Sequence, residues 1–335
     1  MLLRESEQMI QYMVRRFILM IPTLIVVSMI TFFLIQLPPG DFLTTYIANL
    51  AQSGETVDEA EIAALQHRYG LDQPMYVQYV KWITGVVQGD FGVSFTWNQP
   101  VSDLIWGRLG TTLLISIAAL IINWLVAFPI GIYSAIRQYS IGDYIFTFMA
   151  FTSSAIPHFL IALVLMYLIF KYTGYNITGF YGAEFGDQPW NWPKIADTLK
   201  HLAVAVGILG FLGGAHLIRT MRANLLDELK KPYVSTARAK GLSEGKVIMK
   251  YPVRVALNPF ISSIGWTLPA LLSGTTITAI VLGMPTTGPL LLTSLRSQDM
   301  YLAGSFVLIL SFLTIIGTFI SDMLLAWLDP RIRFQ

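Results

Sequence analysis

The sequence predicts an all-α membrane protein of six transmembrane helices. Three observations carry that prediction. The 335 residues are 54% hydrophobic and 13% charged, with mean hydropathy +0.60, whereas soluble domains carry roughly 25% charged residues. Six segments come close to the roughly 20 apolar residues that a spanning helix needs: 17–37, 111–133, 144–170, 202–218, 260–282 and 303–328. Lys and Arg gather on alternate connections, as membrane orientation requires.

The first element follows Arg15-Arg16. Its apolar run, Phe17 to Leu37, has 21 residues, longer than the roughly 7–15 of a signal-peptide core. Leu37-Pro38-Pro39-Gly40-Asp41 follows, with no small-x-small cleavage site, so a retained helix is expected. Segment 38–108 then reads as extracytoplasmic. Thr56-Val57-Asp58-Glu59 has the pattern of a capping box. A short helix through Ile62, Leu65 and Tyr69 is stopped by Gly70. A second starts after Pro74, places Tyr76, Tyr79, Val80 and Ile83 on one face, and ends before Gly89. The pair reads as an amphipathic cap on the outer membrane face or as a docking surface for a soluble partner.

Thr111 to Ile136 carries no charge, and neither does Val255 to Leu295 over 41 residues. The latter is too long for one span. Gly283, Pro285, Gly288 and Pro289 break it into a helix and a short outer segment. Segment 173–198 carries Tyr175, Phe180, Tyr181, Phe185, Trp190 and Trp192. Such residues form interfacial belts, and a sugar-stacking or docking surface is the alternative.

With the N-terminus inside, six spans place 15 of the 22 Lys and Arg on the inner face and seven outside (Arg68, Lys81, Arg108, Lys171, Lys194, Lys200, Arg296). Both termini are then cytoplasmic. Nine of the inner cations lie between Arg219 and Arg254, against three acids, Asp227, Glu228 and Glu244. Met221 to Glu228 reads as an extension of the fourth span, interrupted at Lys231-Pro232. Ser235 to Lys240 has helix formers, and Gly241 fits a helix stop. Ser243 is an N-cap candidate for Glu244 to Lys250, which Pro252 ends. Anionic lipid would hold such a loop; a cytoplasmic protein partner is the other reading.

Several function classes are excluded. There is no cysteine, and His67, His158, His201 and His216 are scattered, so neither thiolate nor paired-histidine metal sites are expected. No Gly-x-x-x-x-Gly-Lys-Ser/Thr loop is present, so the chain is read as neither an enzyme nor an ATP binder. Proton-driven carriers place acids or histidines within the membrane. Here Asp322 is the one candidate, and it reads as lying near the inner interface. An ion-coupled secondary carrier remains the competing class, with a membrane scaffold, but the inverted repeats of a carrier are not seen.

Ser235-Thr236-Ala237-Arg238-Ala239-Lys240-Gly241-Leu242 resembles the cytoplasmic motif of permease subunits of binding-protein-dependent ABC importers, and more narrowly the first permease of the dipeptide/oligopeptide/nickel group. Leu37-Pro-Pro-Gly-Asp41-Phe42, Arg68 to Tyr79, Gly89-Asp-Phe-Gly-Val-Ser94, Pro100-Val101 with Arg108 and Thr111-Thr112, Ser154 to Phe159, and Leu328-Asp-Pro-Arg331 resemble further segments of that group, in order along nearly the whole chain. Three features depart from it. The general motif begins Glu-Ala-Ala and ends Ile-x-Leu-Pro, where this chain has Ser235-Thr236-Ala237 and Tyr251-Pro-Val-Arg254. The group's Pro-Gly-Leu-Gly reads Pro285-Thr-Thr-Gly288. Loop 173–198 is longer than usual.

The resemblance implies one permease domain over 1–335 with the MetI-like fold, an extracytoplasmic segment 38–108 and a cytoplasmic coupling loop 219–258. It implies that Tyr233 to Leu242 (Tyr233, Ser235, Thr236, Ala237, Arg238, Ala239, Lys240, Gly241, Leu242) seats in an ATPase subunit, with Ala237 and Gly241 at its small-residue positions. The implied partners are a second homologous permease, two ABC ATPase subunits that carry ATP and Mg, an extracytoplasmic substrate-binding protein and membrane lipid. The chain itself would hold no cofactor, and the setting is the inner membrane of a prokaryote. Asn123, Thr152, Ser153, Ser273, Thr275 and Thr276 are candidates for lining the translocation path, with hydrogen bonding between helices as the alternative. The implied cargo is a peptide; oligosaccharide or chelated nickel stays open.

Overall fold

The structure, a computed structural model, describes residues 2–37, 42–53, 59–262 and 276–328. Along the chain these form α1 (Leu2–Gln36), α2 (Phe42–Ser53), α3 (Glu59–Tyr69), α4 (Met75–Val87), α5 (Val101–Ile136), α6 (Ile141–Ala155), α7 (His158–Thr173), α8 (Trp192–Gly207), a π-helical turn (Ile208–Leu212), α9 (Ala215–Leu229), α10 (Pro232–Ala239), α11 (Glu244–Lys250), α12 (Pro252–Ala256), α13 (Thr276–Val281), α14 (Thr287–Arg296) and α15 (Met300–Leu328). Among the described residues, Met13–Gln36, Val101–Ile136, Trp192–Leu229 and Met300–Leu324 are long and apolar enough to cross a membrane, and α6 with α7 supplies a fifth crossing if that bent pair is one span. The middle of the predicted span 260–282 lies outside the described residues. So do Pro38 to Asp41, the first three residues of the predicted capping box, and Asp329 to Arg331. An all-α membrane architecture with six spans is consistent with these helices.

Two compact units divide the chain, 1–110 with 286–319, and 111–285 with 320–335. In the first, Phe32 of α1, Phe42 and Leu43 of α2, Trp82 of α4 and Leu308 of α15 share a core. The Trp82 indole donates to Ser305 Oγ at 3.1 Å, and Gly304 leaves room for the ring, since a Cβ there would lie 3.3 Å from it. Buried Asp299 accepts from Ser94 Oγ at 2.5 Å, Thr96 N at 3.1 Å and Leu302 N at 3.2 Å. It thereby satisfies a free N–H of the first turn of α15. Helices α3 and α4 match the expected outer helices, stopped by Gly70 at φ +66 and followed by Gly89 at φ +85. Helix α2 was not expected from the sequence.

In the second unit the predicted span 144–170 is two helices bent by 99°. Pro157 explains it. The residue before a proline is pushed out of the helical region, and Ile156 is extended at φ −98, ψ 126. The predicted span 202–218 starts earlier, at Trp192, where Asn191 Oδ1 accepts from Lys194 N at 2.9 Å. It then passes through the π-turn. Gly210 and Gly214 let that stretch approach α5: a Cβ at Gly210 would lie 2.9 Å from Ile122 Cγ2, and one at Gly214 would lie 2.8 Å from Asn123 Oδ1. Gly283, at φ +63, turns the chain out of α13. Gly288 and Pro289 belong to the first turn of α14 rather than to that break, where proline loses no helical bond.

Candidate functional site

The predicted cytoplasmic loop is carried by α9, and α9 is held at two places in its own unit. A Cβ on Gly131 of α5 would lie 2.6 Å from Met221 Cβ, so only glycine allows this approach. The next residue, Arg222, donates through Nε to Asp143 Oδ1 and through Nη2 to Asp143 Oδ2, both at 2.8 Å. Asp143 also accepts from Tyr139 N at 3.0 Å and Thr147 Oγ1 at 3.3 Å. Its own N–H donates to Ser140 Oγ, the N-cap of α6, at 3.2 Å. Sequence reasoning missed this pair because 79 residues separate its members.

Beyond α9 the loop folds as helix, glycine turn, helix. Pro232 begins α10 at its first position, where its missing N–H costs nothing. Val234 and Ala237, three residues apart and so on one face, pack with Val247 of α11, flanked by Leu242 and Tyr251. That leaves Tyr233, Ser235, Thr236, Arg238, Ala239, Lys240 and Gly241 exposed. Ala237, expected at the partner's surface as a small residue, is instead 5% exposed and faces α11. Ala239 and Gly241 are the small residues that face outward.

Gly241 has φ +76 with nothing within 4 Å of a Cβ placed there, so the backbone alone demands glycine. Arg238 closes the turn on Glu244 through Nη2 to Oε1 at 2.6 Å and Nε to Oε2 at 3.0 Å. This fork holds the Glu244 carboxyl below its usual range, but both side chains are exposed, so it adds little stability. Ser243 stands at the N-cap of α11 without a side-chain cap bond. Burial, and then the hydrogen bond to Glu228, pushes the Tyr233 phenol up.

Thr152 and Ser153 line a largely apolar cavity of about 250 Å³ with Val126, Ile130, Phe146 and Phe211. Asn123 is elsewhere: it is 4% exposed, against Gly213 and Gly214. Thr276 is half-buried at the start of α13, and Ser273 and Thr275 lie outside the described residues. The aromatic loop is clipped to α8. Asp197 accepts from Tyr175 Oη and from Gly182 N, the latter at 2.7 Å. Lys194 Nζ donates to Gln188 O at 2.7 Å and lies 4.3 Å from the Tyr181 ring centre. Trp190 and Trp192 are exposed. Among the described residues no group of three His, Asp or Glu is placed to hold a metal ion.

Residues 127–334, which contain the loop and its anchors, match the family described as binding-protein-dependent transport system inner membrane component, and residues 9–117 match the N-terminal region of such membrane components. The chain belongs to this family. Similar proteins include the oligopeptide transport system permease protein AppB of Bacillus subtilis (strain 168), 34% identical over 97% of this chain and 100% of its own. The dipeptide transport system permease protein DppB of Alkalihalophilus pseudofirmus is 29% identical over 97% and 100%. The glutathione transport system permease protein GsiC of Salmonella paratyphi A is 31% identical over 98% and 100%.

The permease is therefore a multi-pass inner-membrane component of an ABC importer, a transporter subunit rather than an enzyme. It works with an ATPase and a substrate-binding protein, as membership of this family implies.

Proposed function

We propose that this permease forms half of a translocation path for peptides and couples to ATP hydrolysis through Tyr233 to Leu242. The observation that carries the coupling role is the two-sided character of α10. One face is sealed onto α11 by Val234 and Ala237. The other presents Tyr233, Ser235, Thr236, Arg238, Ala239, Lys240 and the Gly241 turn. A push on the exposed face passes through the packed one to α11, and along the chain to α9, which Asp143 holds to α6. Such rigid contacts suit a rigid-body switch between inward-open and outward-open states.

A second homologous permease would complete the path. Two ATPase subunits, which carry ATP and Mg, would dock on the cytoplasmic face, with both termini on that side, and a binding protein would deliver cargo opposite. Thr152 and Ser153, with Thr276 and the undescribed Ser273 and Thr275, are the polar residues proposed to face the path; buried Asn123 is proposed to act at the joint between α5 and the glycine pair. The peptide assignment draws on relatives named for oligopeptides, dipeptides and glutathione.

The test is purification of the tagged chain from native membranes in mild detergent, followed by uptake assays in proteoliposomes. Recovery of two ATPase chains per permease pair, with peptide uptake that requires ATP, is the expected result. Recovery of this chain alone from membranes where it is abundant would overturn the reading.

A further inference from the structure

Two hydrophobic cores divide the second compact unit. In one, Ile115 and Ala119 of α5 pack with Ala162 of α7 and Leu202, Ala205 and Val206 of α8. In the other, Ala135 of α5 packs with Met221 and Leu225 of α9, Ile248 of α11 and Val253 of α12. Helix α6 joins the second through Asp143 and Arg222. The first half carries the aromatic loop, fastened at Asp197, and the second carries the coupling loop.

Among the described residues the chain passes between these halves three times, and each passage is irregular. Helix α5 holds Pro129 in its interior; it has no N–H for the carbonyl of Leu125, which weakens the ladder there. Between α6 and α7 the chain bends by 99° at Ile156-Pro157. Between α8 and α9 lies the π-turn Ile208–Leu212, followed by Gly213 and Gly214. Prolines, glycine pairs and π-turns are the usual causes of helix bending, and π-turns are frequent at functional sites. The apolar cavity of about 250 Å³ touches all three passages: Val126 and Ile130 lie on either side of Pro129, Ile156 precedes Pro157, and Phe211 belongs to the π-turn. Protein interiors are otherwise close-packed, so a void at this joint leaves room for movement. Asn123 faces Gly213 and Gly214. It is 4% exposed, and its Oδ1 has no hydrogen-bond partner.

We propose that the three breaks form one hinge, about which the two halves tilt as rigid bodies when an ATPase moves the coupling loop, and that Asn123 is its positioning residue. The proposal rests on the coupling reading above. Hinges are a few residues that absorb the change in backbone angle. Tilting opens helical hydrogen bonds at the π-turn and the glycine pair, and Asn123 Oδ1 accepts from a backbone N–H released there. An unpaired buried acceptor is disfavoured, so this capture draws the unit toward the tilted state.

The experiment measures spin-label distances in the assembled complex in proteoliposomes, before and after trapping with ATP and vanadate. The chain has no cysteine, so labels enter at chosen sites once partner cysteines are replaced. Ile145→Cys with Phe170→Cys spans the hinge, from α6 to α7. Phe170→Cys with Leu199→Cys, and Ile145→Cys with Ala223→Cys, each lie within one half. All four native side chains are exposed. Helical arms of roughly a dozen residues at 1.5 Å each turn a tilt of about 10° into a shift of about 2 Å across the bend. The spanning distance should shift by about that much or more on trapping, while the other two hold. A Cβ at Gly207 meets nothing within 4 Å, so Gly207→Ala stiffens the approach to the π-turn without a clash. It should lower the shifted fraction about threefold and leave the melting temperature no lower than wild type. Asn123→Leu removes the acceptor and should lower the fraction about fivefold. An unchanged spanning distance in a complex that retains its ATPases overturns the hinge and leaves the coupling reading standing. A shift of all three pairs overturns it as well, since the halves are then not rigid. A wild-type fraction in either assembled variant does the same, and Gly207→Ala decides alone if Asn123→Leu fails to assemble. Absence of ATPase chains from the wild-type complex removes the coupling reading, and the hinge with it.

Discussion

Asp143 and Arg222 form a two-pronged ion pair at 2.8 Å that ties the first turn of α6 to the helix carrying the coupling loop. The Asp143 side chain is 3% exposed and that of Arg222 is 25% exposed. Removing one partner of a buried pair leaves an uncompensated charge and costs about 3–5 kcal/mol. Arg222→Met should therefore lower the melting temperature of the detergent-purified protein markedly, and Asp143→Asn less so. The exchange Asp143→Arg with Arg222→Asp should recover part of the loss. A variant lacking Arg222 that melts with wild type would rule out the strut.

The Gly241 turn separates backbone from contact effects. A non-glycine residue in the left-handed region costs roughly 1–2 kcal/mol, and Asn or Asp bear it best. Nothing crowds the site, so uptake should rank glycine, then asparagine, then valine. Gly241→Asp adds a negative charge to an exposed basic face and should also weaken ATPase recovery. Wild-type uptake by Gly241→Val would show that the left-handed turn is dispensable.

Ala237 and Ala239 should respond oppositely to the same enlargement. Ala237→Leu overpacks the contact with Val247, at about 1–3 kcal/mol, and should speed hydrogen exchange across α10 and α11. Ala239→Leu projects outward and should leave exchange unchanged while reducing ATPase co-purification. Identical behaviour of the two variants would contradict the packing of α10 on α11 seen here.

Asp197→Ala removes the acceptor of both Tyr175 and Gly182. Each stranded donor costs about 1–3 kcal/mol. Limited proteolysis should then cut within 174–191 faster than in wild type, with α10 and α11 unaffected. Cleavage at the wild-type rate would mean that Lys194 alone secures the loop.

The Arg238–Glu244 fork fixes a pH response. Its folded carboxyl titrates below the ordinary 4.5, so its contribution is present above that value and fades as pH falls through the lower folded one. Hydrogen exchange of the 241–247 amides, corrected for intrinsic rate, should stay flat from about pH 5 to 8. Loosening within that window would assign the turn's order to another group.

Much of this architecture was legible in local chemistry. Gly70, Gly89 and Gly241 lie where the predicted helices stop, because glycine adopts the left-handed conformation after a helix without a Cβ penalty. Pro74 and Pro232 mark helix starts because their missing N–H is harmless there. What escaped is long-range. The bend at Pro157 was read as part of one span because composition does not report angle. The clip of loop 174–191 onto α8 depends on Asp197 and Lys194, which the pattern placed only as outer charges.

By itself, the sequence determined the membrane class, the charge asymmetry, the helix–glycine–helix form of the loop and the family. Each follows from composition or from interactions within a few residues. Only the tertiary structure decided which face of α10 is free, that Ala237 points inward, that Asn123 sits against glycines while Thr152 and Ser153 meet a cavity, and that Asp143 neutralises Arg222 but not Arg219. Those outcomes depend on which distant side chains arrive at the same place, and helical periodicity fixes a residue's direction without fixing what it meets.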